Sequence, residues 1–582
     1  MTHGIGWMRV VFLSLLLGLL ASCGGGGGGS TGSSGASGGG TTPTPTPAPF
    51  NDIPQTDAEA ARFLTQATFG PTSSEIARLR HIGYSRWLDE QMDPARTPAT
   101  LLLPHIHQMT VNDTLDYRER RNYWLWKTVG ASDQLRMRMG FALSEIFVVS
   151  DRDYNNKNFE RITHYQDMLG QGAFGSYRSL LEQVTLHPAM GTYLSHLANQ
   201  KAVTYKNAQG LQVSVVPDEN YAREVMQLFS IGLVERNPDF SPVLDANGAT
   251  KATYDQSVIA AMARVFTGWT WAGNTDANYW AWAGHDNDYR AMECHPKFHD
   301  DQAKLIFRGI TIAGTSDCKV TLQQTLDALA THPNVAPFIS RQLIQRFVTS
   351  NPSPAYIGRV SKAWTDSNGD LGKVLRAILL DVEARVPPAA TDASFGKMRE
   401  PLLQLTALWR AFDAKYLPAT NGTYMFRFSN SWDFTTTLMQ DSLRSPSVFN
   451  FFEPDYRLPA AGGIQGIYAP EMQLYNEASF GSIFNQQLDA GWNNFATTAP
   501  TANTPAPVMD INPLLTLANN NDHAGMVAKL DVLLFYGTLS PDSRRVMVDM
   551  LDKLKAANRP ADERVRSLVQ LAVSSPEFVV QR

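Results

Sequence analysis

Residues 56–83 read TDAEAARFLTQATFGPTSSEIARLRHIG, a stretch that holds two helix starts. Thr56-Asp57-Ala58-Glu59 has the form of a capping box, in which a hydroxyl takes an orphan amide of the first turn and a glutamate three residues on reaches back. Phe63, Leu64 and Ala67 then follow at helical spacing, until Gly70-Pro71 ends the run. Thr72-Ser73-Ser74-Glu75 opens a second helix, with Ile76, Leu79 and Ile82 on one face and Gly83 as its stop. Outward from this unit the same period recurs in Asp133 to Val149, Tyr177 to Leu197, Asp218 to Leu233, Asp255 to Thr267, Thr321 to Leu329, Asn334 to Phe347, Gly369 to Leu380 and Met398 to Phe412. Two more helices are expected after Ser540-Pro541 and Arg559-Pro560. Two-residue alternation appears only briefly, near Tyr424 to Phe428, so the expected fold is mostly α and multi-helix.

The chain has 582 residues, more than one hydrophobic core usually serves, and two or more packed lobes are expected. We divide it into a main helical domain (51–414), an irregular segment (415–512) and a C-terminal helical segment (513–582). In the irregular segment Asn, Gly, Pro and aromatics replace helical periodicity, and Phe449, Phe451, Phe452 and Tyr456 crowd one part of it. Long irregular segments of this kind are commonly lids or binding surfaces. Packing between lobes is the other reading of the aromatics.

At the other end, Arg9 and the mostly apolar run Val10–Leu20 form a signal-peptide pattern too short to span a bilayer. Leu20-Ala21-Ser22-Cys23 has the form of a lipobox, so residues 1–22 are expected to be removed and Cys23 lipidated. Gly24 follows, rather than the Asp that commonly retains lipoproteins in the inner membrane, which favours the outer membrane. Residues 24–49 are almost wholly Gly, Ser, Thr and Pro and carry too little apolar surface to fold. A tether of about 26 such residues has an r.m.s. reach of roughly 30 Å.

Removal of the signal takes Arg9 and moves the formal charge from −5 to −6. With no basic patch, nucleic acid is not an expected partner. With Cys23 assigned to lipid, only Cys294 and Cys318 remain. In an oxidising envelope they are expected to pair, closing a loop of about 25 residues worth roughly 3 kcal/mol, with two separate buried thiols as the alternative. Gly35-Ala36-Ser37-Gly38-Gly39 satisfies GxSxG but lies in the tether, not between strand and helix. No Walker loop, dinucleotide fingerprint or haem CxxCH is present.

Blocks of sequence in order resemble the bacterial family known as domain of unknown function 1800. They are Arg62–Gly70, Leu135-Arg136 with Phe141–Ser150, Glu219–Glu224 with Leu228–Gly232, Phe266–Thr270, His299-Asp300 with Lys304 and Gly309, His332–Ala336 with Arg341 and Phe347, Ser445–Phe452, and Ser575–Phe578. The resemblance implies a bacterial, exported protein with no assigned reaction. Genes of the family often neighbour those of an exported sulfatase-like family, which implies work on an extracellular or envelope substrate alongside such a partner. Many members of the family have a Trp and a His before the Phe-Val-Val block, where this sequence has Ala142, Leu143, Ser144 and Glu145. No role of that His carries over.

Two constellations have residue types suited to chemistry. His285, Asp286, Asp288, Glu293, His295, His299, Asp300 and Asp301 lie close in a stretch with Trp280 and Trp282. His285, His295, His299 and Asp300 are candidate ligands of a divalent metal that would activate water. Pro296 argues against His295 and His299 sharing a helix face. The alternative is structural: His299 and Asp300 bond backbone groups in a loop, with Lys304 as charge partner. Of this cluster, His299, Asp300 and Lys304 fall within the resemblance. In the second constellation Asp218 caps a helix, Glu219 and Arg223 pair one turn apart, and Glu224 borders the buried stripe. A carboxylate held there is a candidate general base, or else joins helices by pairing with an arginine. Two functions follow as expectations. The first is a tethered binding or accessory protein that engages an extracellular polymer or envelope partner through Tyr424 to Tyr456. The second is a hydrolase using His299, Asp300 and Glu224, with Arg223 and Lys304 as further candidates.

Overall fold

Thr56 and Thr72 do what their positions in the sequence predict. Thr56 Oγ1 accepts the Glu59 amide at 3.1 Å, while Glu59 Oε2 accepts the amide of Gln55 at 2.7 Å, and the helix Asp57–Ala67 follows. Thr72 Oγ1 accepts the Glu75 amide at 3.1 Å and starts Ser73–Ile82, which Gly83 closes by donating to Leu79 O. A threonine cap of this kind contributes about 1 kcal/mol. These details come from a computed structural model that describes residues 51–111, 119–152, 159–284, 287–386, 394–415, 434–458, 466–496 and 507–582. The signal, Cys23, the tether, His285, Asp286 and Tyr424 to Phe428 lie outside the described residues.

The described chain is mostly helical, with only short strands paired two by two. The longest pairing is the hairpin of Val203–Lys206 with Gln212–Val215, in which Val203 faces Val215. Trp269-Thr270 pairs with Glu293-Cys294, and Val580-Gln581 returns to pair with Lys397-Met398.

Where the helices differ from the periodic stretches, backbone chemistry supplies the reason. Tyr177 to Leu197 breaks into Tyr177–Leu186 and Pro188–Tyr193, because the residue before a proline disfavours helical angles. Asp218 to Leu233 is helical only over Asn220–Gln227, with Asp218 Oδ1 accepting the Asn220 amide at 2.8 Å. It then turns, the amides of Ile231 and Gly232 both reaching Met226 O. Gly232 sits at φ +68°, and a Cβ there would lie 2.8 Å from the Phe338 ring. Glu477–Asn493, inside the stretch expected to be irregular, is a helix of 17 residues started by an Asn476–Ser479 capping box. Its internal Gly481 and Gly491 lower the helical signal that a sequence reading depends on.

Pro49–Arg582 forms one unit, and the lobes expected from length share one continuous hydrophobic core. Pro401–Ala411 is buried at every position, and its polar Gln404, Thr406 and Arg410 donate to backbone carbonyls. It packs against Glu119–Gly130, Glu477–Asn493 and His523–Phe535, which draws the C-terminal segment into the main domain. Gly70 approaches it so closely that a Cβ would lie 2.5 Å from Ala407 Cα.

Candidate functional site

The residues singled out in the sequence fall into separate surroundings. His299 is fully buried, with Nδ1 donating to Thr267 O at 2.8 Å and Nε2 3.0 Å from Thr321 Oγ1. Burial holds its imidazole below the usual histidine range. Asp300 takes Arg264 in a two-point grip, at 3.0 Å and 2.8 Å. Burial works against its charge, but that grip outweighs burial and keeps the carboxyl below its ordinary value. Lys304 Nζ donates to Asp300 O at 2.6 Å and Gln302 O at 2.8 Å, stapling the loop from inside. Cys294 and Cys318 form a disulfide, with their Cα atoms 5.8 Å apart, beside this loop.

Pro296–Phe298 is a single 3-10 turn flanked by His295 and His299, so the two imidazoles share no helix face. His295 Nδ1 lies 2.8 Å from Asp276 Oδ1. Of the residues expected to hold a metal, His285, His295, His299 and Asp300, the donor atoms of His299 and Asp300 are engaged by Thr267, Thr321 and Arg264. Among the described residues no group of three or more His, Cys, Asp or Glu could hold a metal; His285 lies outside them. Arg223 pairs with Glu219 at 3.2 Å on the surface, as their spacing predicts. Glu224 is buried, its Oε2 has no hydrogen-bond partner among the described residues, and burial raises its pKa. It makes no hydrogen bond to His299 or Asp300, so these three residues do not form one hydrogen-bonded group.

A different place combines a cavity with buried polar groups. A cleft of about 310 Å³ has the helix Val335–Phe347 as one wall, with Phe338, Gln342 and Arg346 at i, i+4 spacing on a shared face. Other walls come from Glu145 and Ile146 just past the helix Gln134–Ser144, from the turn around Gly232, and from the loop 448–455. Arginine guanidiniums stand over aromatic rings around it. Arg341 stands over Phe240 at 4.6 Å and Tyr468 at 4.5 Å while pairing with Asp455 at 2.8 Å. Arg236 also stands over Phe240, at 4.3 Å, and Arg346 lies over Phe452 at 5.3 Å. Phe449 is 45% exposed, whereas Phe452 is buried and Phe451 and Tyr456 are half-buried.

Behind this wall lies a buried charge cluster. Gln440 Nε2 donates to Glu400 Oε2 at 2.8 Å and to Glu145 Oε1 at 3.3 Å, bridging the two carboxyls. Lys397 Nζ is 3.4 Å from Glu400 and 3.0 Å from Glu471, and it donates to Arg346 O at 2.9 Å. Arg138 donates to that same carbonyl at 2.6 Å. Burial pushes the Glu145 carboxyl up, and the Glu400 carboxylate pushes it further, to about 8. Burial opposes the charge on Glu400 too, but Lys397 and Arg138 together hold that carboxyl below its ordinary range. Burial and the neighbouring Glu400 charge thus favour the protonated form of Glu145 over that of Glu400.

Four atoms of this wall lack hydrogen-bond partners among the described residues: Glu145 Oε2, Gln342 Nε2, Arg346 Nε and Asn450 Nδ2. Arg346 Nε lies 3.2 Å from Glu145 Oε2, close enough for charge attraction, but neither atom gains a hydrogen bond from it. Each unsatisfied buried group costs about 1–3 kcal/mol. All four belong to residues that line the cleft, though the atoms themselves have almost no accessible surface.

None of these four is among the site candidates read from the sequence. Glu145 was visible there only as part of a departure from the family pattern, although a carboxylate inside the run Phe141–Val149 is itself a signal. Gln342 and Arg346, in a helix otherwise rich in apolar residues, carry a similar one. Asn450 stands at φ +66°, a left-handed conformation that asparagine tolerates, and nothing local reveals its role.

The model of a family described as protein of unknown function (DUF1800) matches residues 62–580. No curated protein and no solved structure matches the chain.

Proposed function

The chain belongs to that family, and from this premise we propose that it is a cell-envelope lipoprotein that binds an extracellular or envelope polymer, or an envelope partner, through the cleft beside Phe449. The observation that carries the reading is the cleft itself, lined by Arg236, Arg341 and Arg346 over aromatic rings and by the exposed Phe449. The arginines over aromatic rings and the exposed Phe449 suit an extended ligand with alternating polar and apolar faces. Lipid on Cys23 would hold the chain to an outer-membrane surface through a tether with an r.m.s. reach of roughly 30 Å. An exported sulfatase-like protein is one partner to test.

The aromatic segment contributes less than its composition suggests. Phe452 belongs to the interior and Tyr424 to Phe428 lie outside the described residues, so binding rests on Phe449 and the arginines. The hydrolase reading has one supporting observation, the raised pKa of buried Glu224. Against it, His299 and Asp300 are held by protein partners.

The test is a screen of the full chain, in detergent, against immobilised neutral and anionic polysaccharides. Retention that Phe449→Ala weakens about tenfold would support the reading, since one aromatic contact is worth about 1.4 kcal/mol or less. Retention unaffected by both Phe449→Ala and Arg236→Ala would sink it. Metal lost on His299→Ala would support the second reading, whereas a loss of stability with metal content unchanged would count against it.

A further inference from the structure

A second cavity, of about 630 Å³, lies between the residues just before Cys294 and the helix Cys318–Ala330, with the Cys294–Cys318 disulfide tying the two sides together. It shares no lining residue with the cleft beside Phe449, so what it binds is independent of the polymer. Leu186, Trp269, Met292 and Leu322 give it an apolar lining, and His164 also faces it. Its volume is that of a small-molecule site. We propose that it binds a small organic molecule with an apolar body and an acyl oxygen, that of an amide or a carboxylate, which accepts a hydrogen bond from His164.

The backbone decides which nitrogen of His164 bears hydrogen. The Ala189 amide donates to His187 Nδ1 at 3.1 Å, so that nitrogen carries a lone pair and no proton. The hydrogen of the His187 ring is therefore on Nε2. His187 Nε2 lies 2.9 Å from His164 Nδ1 and donates to it. His164 Nδ1 is thereby an acceptor, and the hydrogen of the His164 ring is on its own Nε2. Because His187 is buried, the edge of His164 that bears Nδ1 turns inward and the edge with Nε2 turns outward. His164 is half-buried, and its Nε2 is neither bonded within the described residues nor closed off from solvent. Tyr289 stacks on the ring with centroids 5.1 Å apart and planes 27° apart, which fixes its orientation. Burial lowers both imidazoles from the usual histidine range and keeps the pair neutral.

An N–H held in this way has no lone pair for a metal ion or an ammonium group and pairs with an acceptor oxygen. A neutral imidazole donor suits a carbonyl. An acyl oxygen also accepts without bringing a hydrogen of its own that the apolar lining could not satisfy. Tyr289 and Trp269 suit a flat apolar body beside it. The two carboxylates of the lining are already engaged: Glu182 by Arg178 at 2.7 Å, and Glu293 by the Gly273 amide at 3.1 Å and by Arg290 at 3.7 Å. Lys319 lines the cavity with no ion pair among the described residues, so a carboxylate gains an attraction there that an amide does without.

The experiment is saturation-transfer NMR on the full chain in detergent, titrated in turn with benzamide, sodium benzoate and benzylamine, which share a flat apolar body and differ in the polar group. Saturable binding of benzamide, benzoate or both is expected. His164→Phe keeps an aromatic ring and removes the donor, and it should weaken that binding about tenfold, the loss of one hydrogen bond. His164→Gln restores an N–H and should recover most of the loss. All variants sit in the same micelles, so partition of the probes into detergent is common to them, and circular dichroism confirms that each is folded. Benzamide bound alone points to a neutral amide as the natural ligand. Benzoate bound more tightly, and weakened by Lys319→Met, points to a carboxylate. A wild-type chain that binds neither acyl probe saturably overturns the site without recourse to any variant. Binding as tight in His164→Phe as in the wild type, or benzylamine bound the most tightly of the three, overturns it as well.

Discussion

Glu145 concentrates the physics of this protein in one carboxyl. Its folded pKa is raised, to about 8 from an ordinary 4.5, so the protonated form is the one the fold favours. The stabilisation is complete below about pH 4.5 and is lost as pH climbs through about 8, because the unfolded chain gives up the proton first. Urea unfolding between pH 5 and pH 9 should show stability falling on the order of a few kcal/mol from this group, and Glu145→Gln should flatten that part of the profile. A profile unchanged by the substitution would place the proton elsewhere in the cluster. His299 illustrates the opposite outcome. Its residue type and neighbours suggested chemistry, but Thr267 and Thr321 occupy both ring nitrogens. A sequence shows that an imidazole is present and nothing of what fills its hydrogen bonds.

The elements were legible where the signal is local. Thr56 and Thr72 announce their helices because a cap acts within three residues, and Thr56→Ala should cost about 1 kcal/mol in thermal or chemical unfolding. The pairing of Cys294 with Cys318 was legible by elimination, and the structure contains it. Reduction under native conditions should lower stability by about 3 kcal/mol, the chain-entropy value for a loop of 24 residues of separation, seen as a shifted urea midpoint. Glu477–Asn493 escaped the reading because two glycines and an Asn–Ser box dilute its period, while packing on Pro401–Ala411 supplies what propensity does not. The turn after Gln227 escaped it too, since the steric demand at Gly232 comes from Phe338, more than a hundred residues away.

Across the whole molecule, the proposed anchor and the cleft act together. Cys23→Ala should leave the chain without a lipid and move it from the membrane to the soluble fraction, measurable by fractionation and by mass spectrometry of the N-terminal peptide. A chain that stays membrane-bound and unmodified in either form would remove the lipoprotein assignment. By itself the sequence determined the mostly α class, the cap positions, the disulfide partners and the family, all of which rest on residues near each other or on blocks in order. Only the tertiary structure decided which polar residues share a cavity. Glu145, Gln342 and Asn450 are separated by about two hundred and one hundred residues, and Glu400 reaches Glu145 only through Gln440. Burial, and the missing hydrogen bonds it makes costly, arises from packing among distant segments and leaves no period in the chain to read.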